Sequence, residues 1–299
     1  MPIQSFRRGA AIAVAALTLA ACAPTVDTAA PATTSTTSPV VHDTEFGALE
    51  RTFDARLGVY AIDTGTGKQV EYRPDDRFAF ASTFKALAAG AVLRANTVAE
   101  LEEVVPFEKT DLVPNSPIAT QHVGTGMTLR AACDAAIRYS DNTAGNLLLK
   151  ELGGPNGFTA AMRDIGDRTL RSDRFEIELN EAVPGDPRDT STPRALATSL
   201  RTLTLGDAMP ENKRTILIDM LRANTTGAEL IRAGTPAGWV VGDKTGGGKY
   251  GTRNDIAVIW PPNRAPIVLA ILSSRTTSDA TYDEALIAEA TKVTIGGLS

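Results

Sequence analysis

Ser82 and Lys85 stand three residues apart in the run "RFAFASTFKALAAGAVLRA", at the point where an apolar helical stretch begins. At that spacing on a helix two side chains share a face, about 5–6 Å apart at Cβ, so the amine can reach the hydroxyl. Serine by itself is a feeble nucleophile. A neighbouring lysine takes its proton when burial or a nearby cation lowers the amine's pKa, and a helix N-terminus offers backbone N–H groups to a developing oxyanion. By itself the pair also reads as a serine beside a solvated helix lysine, because both residue types are common. Two further stretches add chemistry. Tyr139-Ser140-Asp141-Asn142 brings a hydroxyl from Ser140 and an amide from Asn142 to the end of the helical run that carries Cys133. Asp243-Lys244-Thr245 closes a strand-like run, and Gly246, Gly247 and Gly248 behind it let a ligand approach the backbone closely. A helix cap and a turn are the bland readings of these two stretches. The two histidines, His42 at the edge of an N-terminal linker and the isolated His122, supply neither a zinc site nor a Ser-His-Asp triad. No metal and no cofactor is expected.

The elements that would position these groups fall into two sets. From Arg56, "RLGVYAIDTGTGKQVEYR" alternates apolar and polar residues on both sides of a Gly-containing turn, which predicts a hairpin. Three more strand-like runs, "GWVVGDKT", "RNDIAVIWP" and "APIVLAILSS", lie far downstream, and "DATYDEALIAEATKVTIG" closes the chain with helical spacing. Residues 75–222 carry almost no strand-like text and several helical runs, including "TLRAACDAAIRYS", where Leu129, Cys133, Ala136 and Ile137 share one face. Strands at both ends with helices between them predict an α/β fold. A discontinuous antiparallel sheet domain, residues 43–74 and 223–299, takes an inserted all-α domain, residues 75–222, that carries the nucleophile.

Composition narrows the setting. The chain of 299 residues is 43% hydrophobic and 22% charged, which is globular, and its net charge of -5 is spread without a polybasic patch, so nucleic acid is not an expected partner. Arg7 and Arg8 precede "GAAIAVAALTLAAC", too short for a stable membrane span, and residues 1–21 read as an export signal. Leu19-Ala20-Ala21-Cys22 resembles the lipobox of bacterial lipoproteins, with Cys22 as the lipidated residue; a plain cleavage site is the alternative. The Pro-, Thr-, Ser- and Ala-rich residues 22–42 read as a flexible tether between membrane and domain. With Cys22 committed to lipid, Cys133 has no disulfide partner and reads as core.

In their order along the chain, Ser-x-x-Lys at 82–85, Ser-Asp-Asn at 140–142 and Lys-Thr-Gly at 244–246 resemble the motifs of the penicillin-recognising serine enzymes, which include serine β-lactamases and penicillin-binding proteins. The resemblance spans nearly the whole mature chain and implies N- and C-terminal helices flanking the sheet. "RFEIELNEAVPGDPRDTSTP", residues 174–193, is similar to the Ω-loop of class A β-lactamases, with Glu176 and Asn180 at its paired carboxylate and amide positions. The resemblance implies that Ser82 attacks a lactam carbonyl and passes its proton to Lys85, or through water to Glu176. Ser140 would relay a proton to the ring nitrogen, and Glu176 with Asn180 would activate the water that frees the enzyme. Lys244, Thr245 and Arg253 would hold the substrate carboxylate, with Asn142 and Gly247 also facing substrate. The backbone N–H groups of Ser82 and Gly247 would form the oxyanion hole. Arg174 and Asp189 match the ion pair that pins the loop's ends.

Four positions depart from the family pattern. Ile177 stands where the family has a cis proline, and a cis bond is expected to be retained there. Asn115 replaces an aromatic wall, and Ala81 and Gly248 replace the two cysteines of a carbapenem-hydrolysing subgroup. The implied function is hydrolysis of penicillins and cephalosporins by an exported monomer that confers resistance. A cell-wall DD-peptidase shares the acylation apparatus, and a non-catalytic lipoprotein shares the fold; Glu176 speaks against the first and the filled catalytic positions against the second.

Overall fold

The computed structural model describes residues 40–299, so the leader, Cys22 and the tether through residue 39 lie outside the described residues. In chain order the elements are β1 (Val40–Val41), α1 (Asp43–Phe53), β2 (Arg56–Asp63), β3 (Gln69–Tyr72), β4 (Phe78–Ala79), α2 (Phe84–Ala95), β5 (Val104–Val105) and β6 (Met127–Thr128). There follow α3 (Leu129–Arg138), α4 (Asn142–Glu151), α5 (Gly154–Asp164), β7 (Thr190–Ser191), α6 (Pro193–Thr204), α7 (Glu211–Arg222) and α8 (Ile231–Gly234). The chain ends in β8 (Val240–Gly248), β9 (Thr252–Trp260), β10 (Ile267–Ser274) and α9 (Ala285–Leu298).

Six strands form the main sheet in the order β1-β3-β2-β10-β9-β8, antiparallel except for the parallel edge pair β1–β3. The late strands read as continuous apolar runs because both faces of the sheet are covered. Along β9 and β10, Ile256, Val258, Val268, Ala270 and Leu272 join the core shared with α2, α6 and α7. Their neighbours Ala257, Ile259, Ile267, Leu269 and Ile271 join Phe46 of α1 and Leu286, Ile287 and Ala290 of α9 on the other face. The strand period of two thus feeds two cores from one sequence run. Helix α2 is buried continuously from Phe84 to Leu93, as befits a helix that is apolar all round and lies at the centre of the helical layer. Leu129, Cys133, Ala136 and Ile137 of α3 are all buried, as their shared face predicts, and burial pushes the Cys133 thiol up to about 12.

The structure differs from the sequence reading in local extent. The tether yields its last residues to the sheet, because Val40 and Val41 pair with Val70 and Glu71. Between residues 75 and 222 four two-residue strands occur, β4 with β7 and β5 with β6; they are too short for a periodic signal to register. β8 does not end at Thr245 but runs on through Gly246, Gly247 and Gly248, which the ladder from Thr245↔Asp255 to Gly248↔Thr252 keeps extended. Helix α3 stops at Arg138, and Asp141 caps the next helix by accepting the Ala144 N–H at 2.8 Å.

The segment between α5 and α6 is braced at three points. The β4–β7 pair joins its exit to the nucleophile segment, Phe78↔Ser191 and Ala79↔Thr190. The buried Asp189 carboxylate accepts the N–H groups of Asp173 and Arg174 at 2.8 and 3.0 Å and the Arg174 Nε–H at 2.5 Å. Asn146, on α4, accepts the Glu176 N–H at 2.8 Å and donates its amide to the Glu176 carbonyl at 3.0 Å. The Glu176–Ile177 peptide bond is cis. An Asn146→Ala variant leaves both backbone groups of Glu176 without that partner, at about 1–3 kcal/mol for each buried group left unpaired. Thermal or urea unfolding should show this loss, and protease should cut near Glu176 faster than in the parent.

Candidate active site

Ser82 does not sit in the α-helix proper. It lies in a single 3-10 turn, Ala81–Thr83, that runs straight into α2. Ala81 has φ 44°, a left-handed conformation that costs a residue with a Cβ on the order of 1–3 kcal/mol. The sheet holds this turn in place. Asn254 of β9 donates its amide to the carbonyls of Ala79 and Phe80 at 2.8 and 3.2 Å. A Cβ at Gly246 would lie 3.0 Å from the Phe80 carbonyl oxygen and 3.2 Å from the Thr83 nitrogen, so a glycine is what lets β8 approach the turn.

Lys85, in the first turn of α2, is fully buried. Its Nζ lies 2.8 Å from Ser82 Oγ, 3.0 Å from the Ser140 carbonyl, 2.6 Å from Asn142 Oδ1 and 2.8 Å from Glu176 Oε1. An ammonium has only three protons for these four oxygens, so its hold on Ser82 is always shared. The stem needs room as well. A Cβ at Gly145 of α4 would fall 2.7 Å from Lys85 Cε, so only glycine fits there. Burial pulls the Lys85 ammonium below its ordinary value, and the attraction of Glu176, then of Asp141, works against that fall.

Glu176 is 2% exposed and closes the opposite side of Ser82. The Ser82 hydroxyl is 3.3 Å from Glu176 Oε1, and Asn180 donates its amide to Oε2 at 2.5 Å. The Asn180 Oδ1 is buried and has no partner among the described residues. Arg174 and Asp189 form the expected ion pair, and Arg174 also reaches Glu181 at 2.6 Å.

The third wall is β8. Lys244, also fully buried, donates to Ser140 Oγ at 3.0 Å and to the Thr245 carbonyl at 2.8 Å. Burial, and next the charge on Lys85, pull the Lys244 ammonium down to about 7, while Asp243, Asp255 and Glu176 oppose the shift. Ser140 itself adopts φ 55°, which turns the chain between α3 and α4. The Thr245 hydroxyl pairs with Thr226 Oγ1 at 2.7 Å. Gly247 pairs with Arg253 across the ladder, beside the nucleophile turn that Gly246 contacts. Arg253 is ion-paired as well: its Nη2 donates to Glu284 Oε1 at 2.6 Å. Asn115, at φ 60°, gives its carbonyl to the Asn142 N–H at 3.0 Å, and Asn142 Nδ2 donates to the Pro114 carbonyl at 2.9 Å.

The structure therefore brings Ser82, Lys85, Ser140, Asn142, Glu176, Asn180, Lys244 and Thr245 into one hydrogen-bonded cluster, with Gly247 and Arg253 along its sheet side. Residues that the sequence reading passed over also contribute. Asn146 follows Asn142 by one helical turn on α4, a spacing that could have flagged it. Thr226, Tyr282 and Glu284 carry no local signal, because only tertiary contact brings them here. Among the described residues no group of side chains has the makings of a metal site, and no helix is long and apolar enough to cross a membrane.

Such an arrangement can acylate a serine and then hydrolyse the ester, because each step has a base within hydrogen-bond reach. Comparison with known proteins agrees. Residues 43–296 match the family described as the beta-lactamase enzyme family. A β-lactamase of Bacillus amyloliquefaciens is 61% identical over 254 residues, covering 85% of this chain and 83% of that one. One of Amycolatopsis lactamdurans is 58% identical over 269 residues, covering 90% and 89%. The crystal structure of a class A β-lactamase from Clostridium kluyveri superposes with a TM-score of 0.85 at 52% identity, over 86% of this chain and 98% of the other. A match across the whole described fold, at these identities, leaves one assignment: the chain belongs to the β-lactamase enzyme family.

Proposed function

We infer that the protein hydrolyses the β-lactam ring of penicillins and cephalosporins by the class A serine route, and so confers resistance to them. One observation carries this reading: the Glu176 carboxylate lies 3.3 Å from Ser82 Oγ, fixed by Lys85 on one oxygen and Asn180 on the other. A penicillin-binding protein stays acylated by the drug, whereas a carboxylate at the nucleophile serves release of the acyl group.

Ser82 Oγ attacks the lactam carbonyl carbon and gives its proton to one of the two bases it touches, Lys85 or Glu176. The developing oxyanion meets the backbone N–H groups of Ser82 and Gly247. As the C–N bond breaks, Ser140 Oγ delivers its proton to the ring nitrogen and is resupplied by Lys244, whose Nζ donates to that hydroxyl. A water held by Glu176 and by the unpaired Asn180 Oδ1 then attacks the ester; Glu176 takes its proton, and Ser82 recovers its own as it leaves. Asn142, Lys244, Thr245 and Arg253 hold the substrate, with the cations turned to its carboxylate. The leader of residues 1–21 and the lipobox-like run to Cys22 support export and anchoring by lipid on the outer face of the cytoplasmic membrane.

Glu176→Ala should acylate and stall: mass spectrometry after exposure to a penicillin should find Ser82 carrying the whole drug for many minutes, and full turnover by this variant would remove Glu176 from the role. Lys244, drawn down to about 7, is charged below that pH and neutral above it. KM for a carboxylate-bearing penicillin should therefore climb as pH rises from 6 to 9, and Lys244→Arg, which keeps its charge, should flatten the climb. Cys22→Ser should move activity from the membrane fraction to the soluble one; activity that stays with the membrane excludes the lipid anchor.

A further inference from the structure

Asn254 is an amide in an apolar place. It lies on β9, on the face that carries Ile256 and Val258 into the core shared with the helices, and it is fully buried. Its polar atoms are all committed. Nδ2 donates to the carbonyls of Ala79 and Phe80 at 2.8 and 3.2 Å, and Oδ1 accepts the Ser273 N–H of β10 at 3.2 Å. The two carbonyls stand immediately before the nucleophile turn. The Phe80 carbonyl belongs to the peptide unit that precedes Ala81, and the Ala81 dihedrals relate that unit to the next, which carries the Ser82 N–H. Ala81 is in the left-handed region, at φ 44°, a conformation that persists only where its surroundings over-determine it. Within the turn, Thr83 donates its N–H and its hydroxyl to the Phe80 carbonyl at 3.2 and 2.7 Å, and the Asp189 carbonyl accepts the Phe80 N–H at 3.1 Å. Asn254 adds the tie to the sheet. Its backbone does a second thing there: in the β8–β9 ladder Asn254 pairs with Gly246, the residue before Gly247.

We propose that Asn254 is a positioning residue for the oxyanion hole: its side chain holds the peptide ahead of Ser82 while its backbone registers Gly246 ahead of Gly247, so one residue sets the separation of the two N–H donors. The proposal rests on the β-lactamase reading and extends it to a residue outside the three motifs and the loop of residues 174–193. Two donors that come from different layers of the fold, one on a helical turn and one on a strand, have no covalent reason to stay in register. A misplacement of about 1 Å in such a site is enough to cost about a hundredfold in rate. An aliphatic side chain of similar volume would suit the surrounding core, but it would leave both carbonyls without their sheet partner and Ala81 free to relax. The amide is there for the geometry it imposes at Ser82.

The test follows the carbonyl that the hole would hold. A penicillin labelled with carbon-13 at the lactam carbonyl leaves its label in the ester on Ser82, where hydrogen bonds from the two donors weaken the C=O bond and lower its infrared frequency. Asn254→Leu should lower kcat/KM for that penicillin about 10–100-fold and move the ester band, recorded on acyl-enzyme trapped by rapid mixing, to higher frequency. Asn254→Ser, which keeps a short polar group and does not overfill the site, should fall between the leucine variant and the parent in both readouts, and it carries the test if the leucine variant folds poorly. The proposal is overturned if either readout stays at the parent value: a slower enzyme with an unmoved band marks a merely structural residue, and a shifted band at the parent rate marks a geometry that the reaction does not use. Melting temperatures of the same preparations, with assays run well below them, keep loss of fold out of the comparison. Failure of the underlying reading is seen in the unmutated protein, which would then hydrolyse no penicillin.

Discussion

A charged amine with no exposed surface organises this molecule. Lys85 sits on a helix whose every neighbouring position is buried, where an unpaired ammonium would cost several kcal/mol. It persists because oxygens from four places in the chain converge on it: its own turn at Ser82, the Ser140 carbonyl, the Asn142 amide and the Glu176 carboxylate. Other features follow from that need. Gly145 has no side chain so that the lysine stem fits, Asn146 holds Glu176 by its backbone, and Arg174 with Asp189 holds the loop that delivers it. Reactivity and stability are therefore tied to the same contacts. The serine is polarised by groups that are there to satisfy a buried cation.

Lys244 repeats the pattern from the sheet side. It too is fully buried, and Asp243 and Asp255 in the same sheet supply opposing charge. Asp243 is bound in turn by Arg232 at 2.6 Å and Asn224 at 2.5 Å, and burial raises its carboxyl above the ordinary range. Lys85 donates to the Ser140 carbonyl and Lys244 to its hydroxyl, so both donors are in place at that residue before any ligand enters. Donors fixed in this way need no reorganisation during reaction, which is where such sites gain most of their rate.

Much of this was legible in the sequence, and the parts that were not share a cause. Ser82, Lys85, Ser140, Asn142 and Lys244 could be named because three short runs, each bland alone, stand in the order of a known family's motifs, and Glu176 with Asn180 because a loop similar to that family's carries both. The two-ended sheet was legible from the apolar runs of β9 and β10, which are continuous because a core lies on each side. Boundaries were less so. The glycines of β8 stay in the strand through ladder hydrogen bonds that composition does not announce, and Ser82 occupies a 3-10 turn because β8 and Asn254 press on it. Thr226, Glu284 and Tyr282 escaped notice since nothing in their own neighbourhoods points to Thr245 or Arg253. Their contribution is purely tertiary.

The order of strands has a consequence in time. β2, near the start of the described chain, is flanked in the sheet by β10, and their register joins Asp63 to Ile267. Ser82, Lys85, Ser140 and Glu176 all precede β8, the strand that completes their pocket. During synthesis the nucleophile thus emerges long before its third wall, and pairings this distant are slow to form. The pocket's last wall is thus among the last parts of the sheet to be made, and the residues gathered at Ser82 wait for β8 before their surroundings are complete.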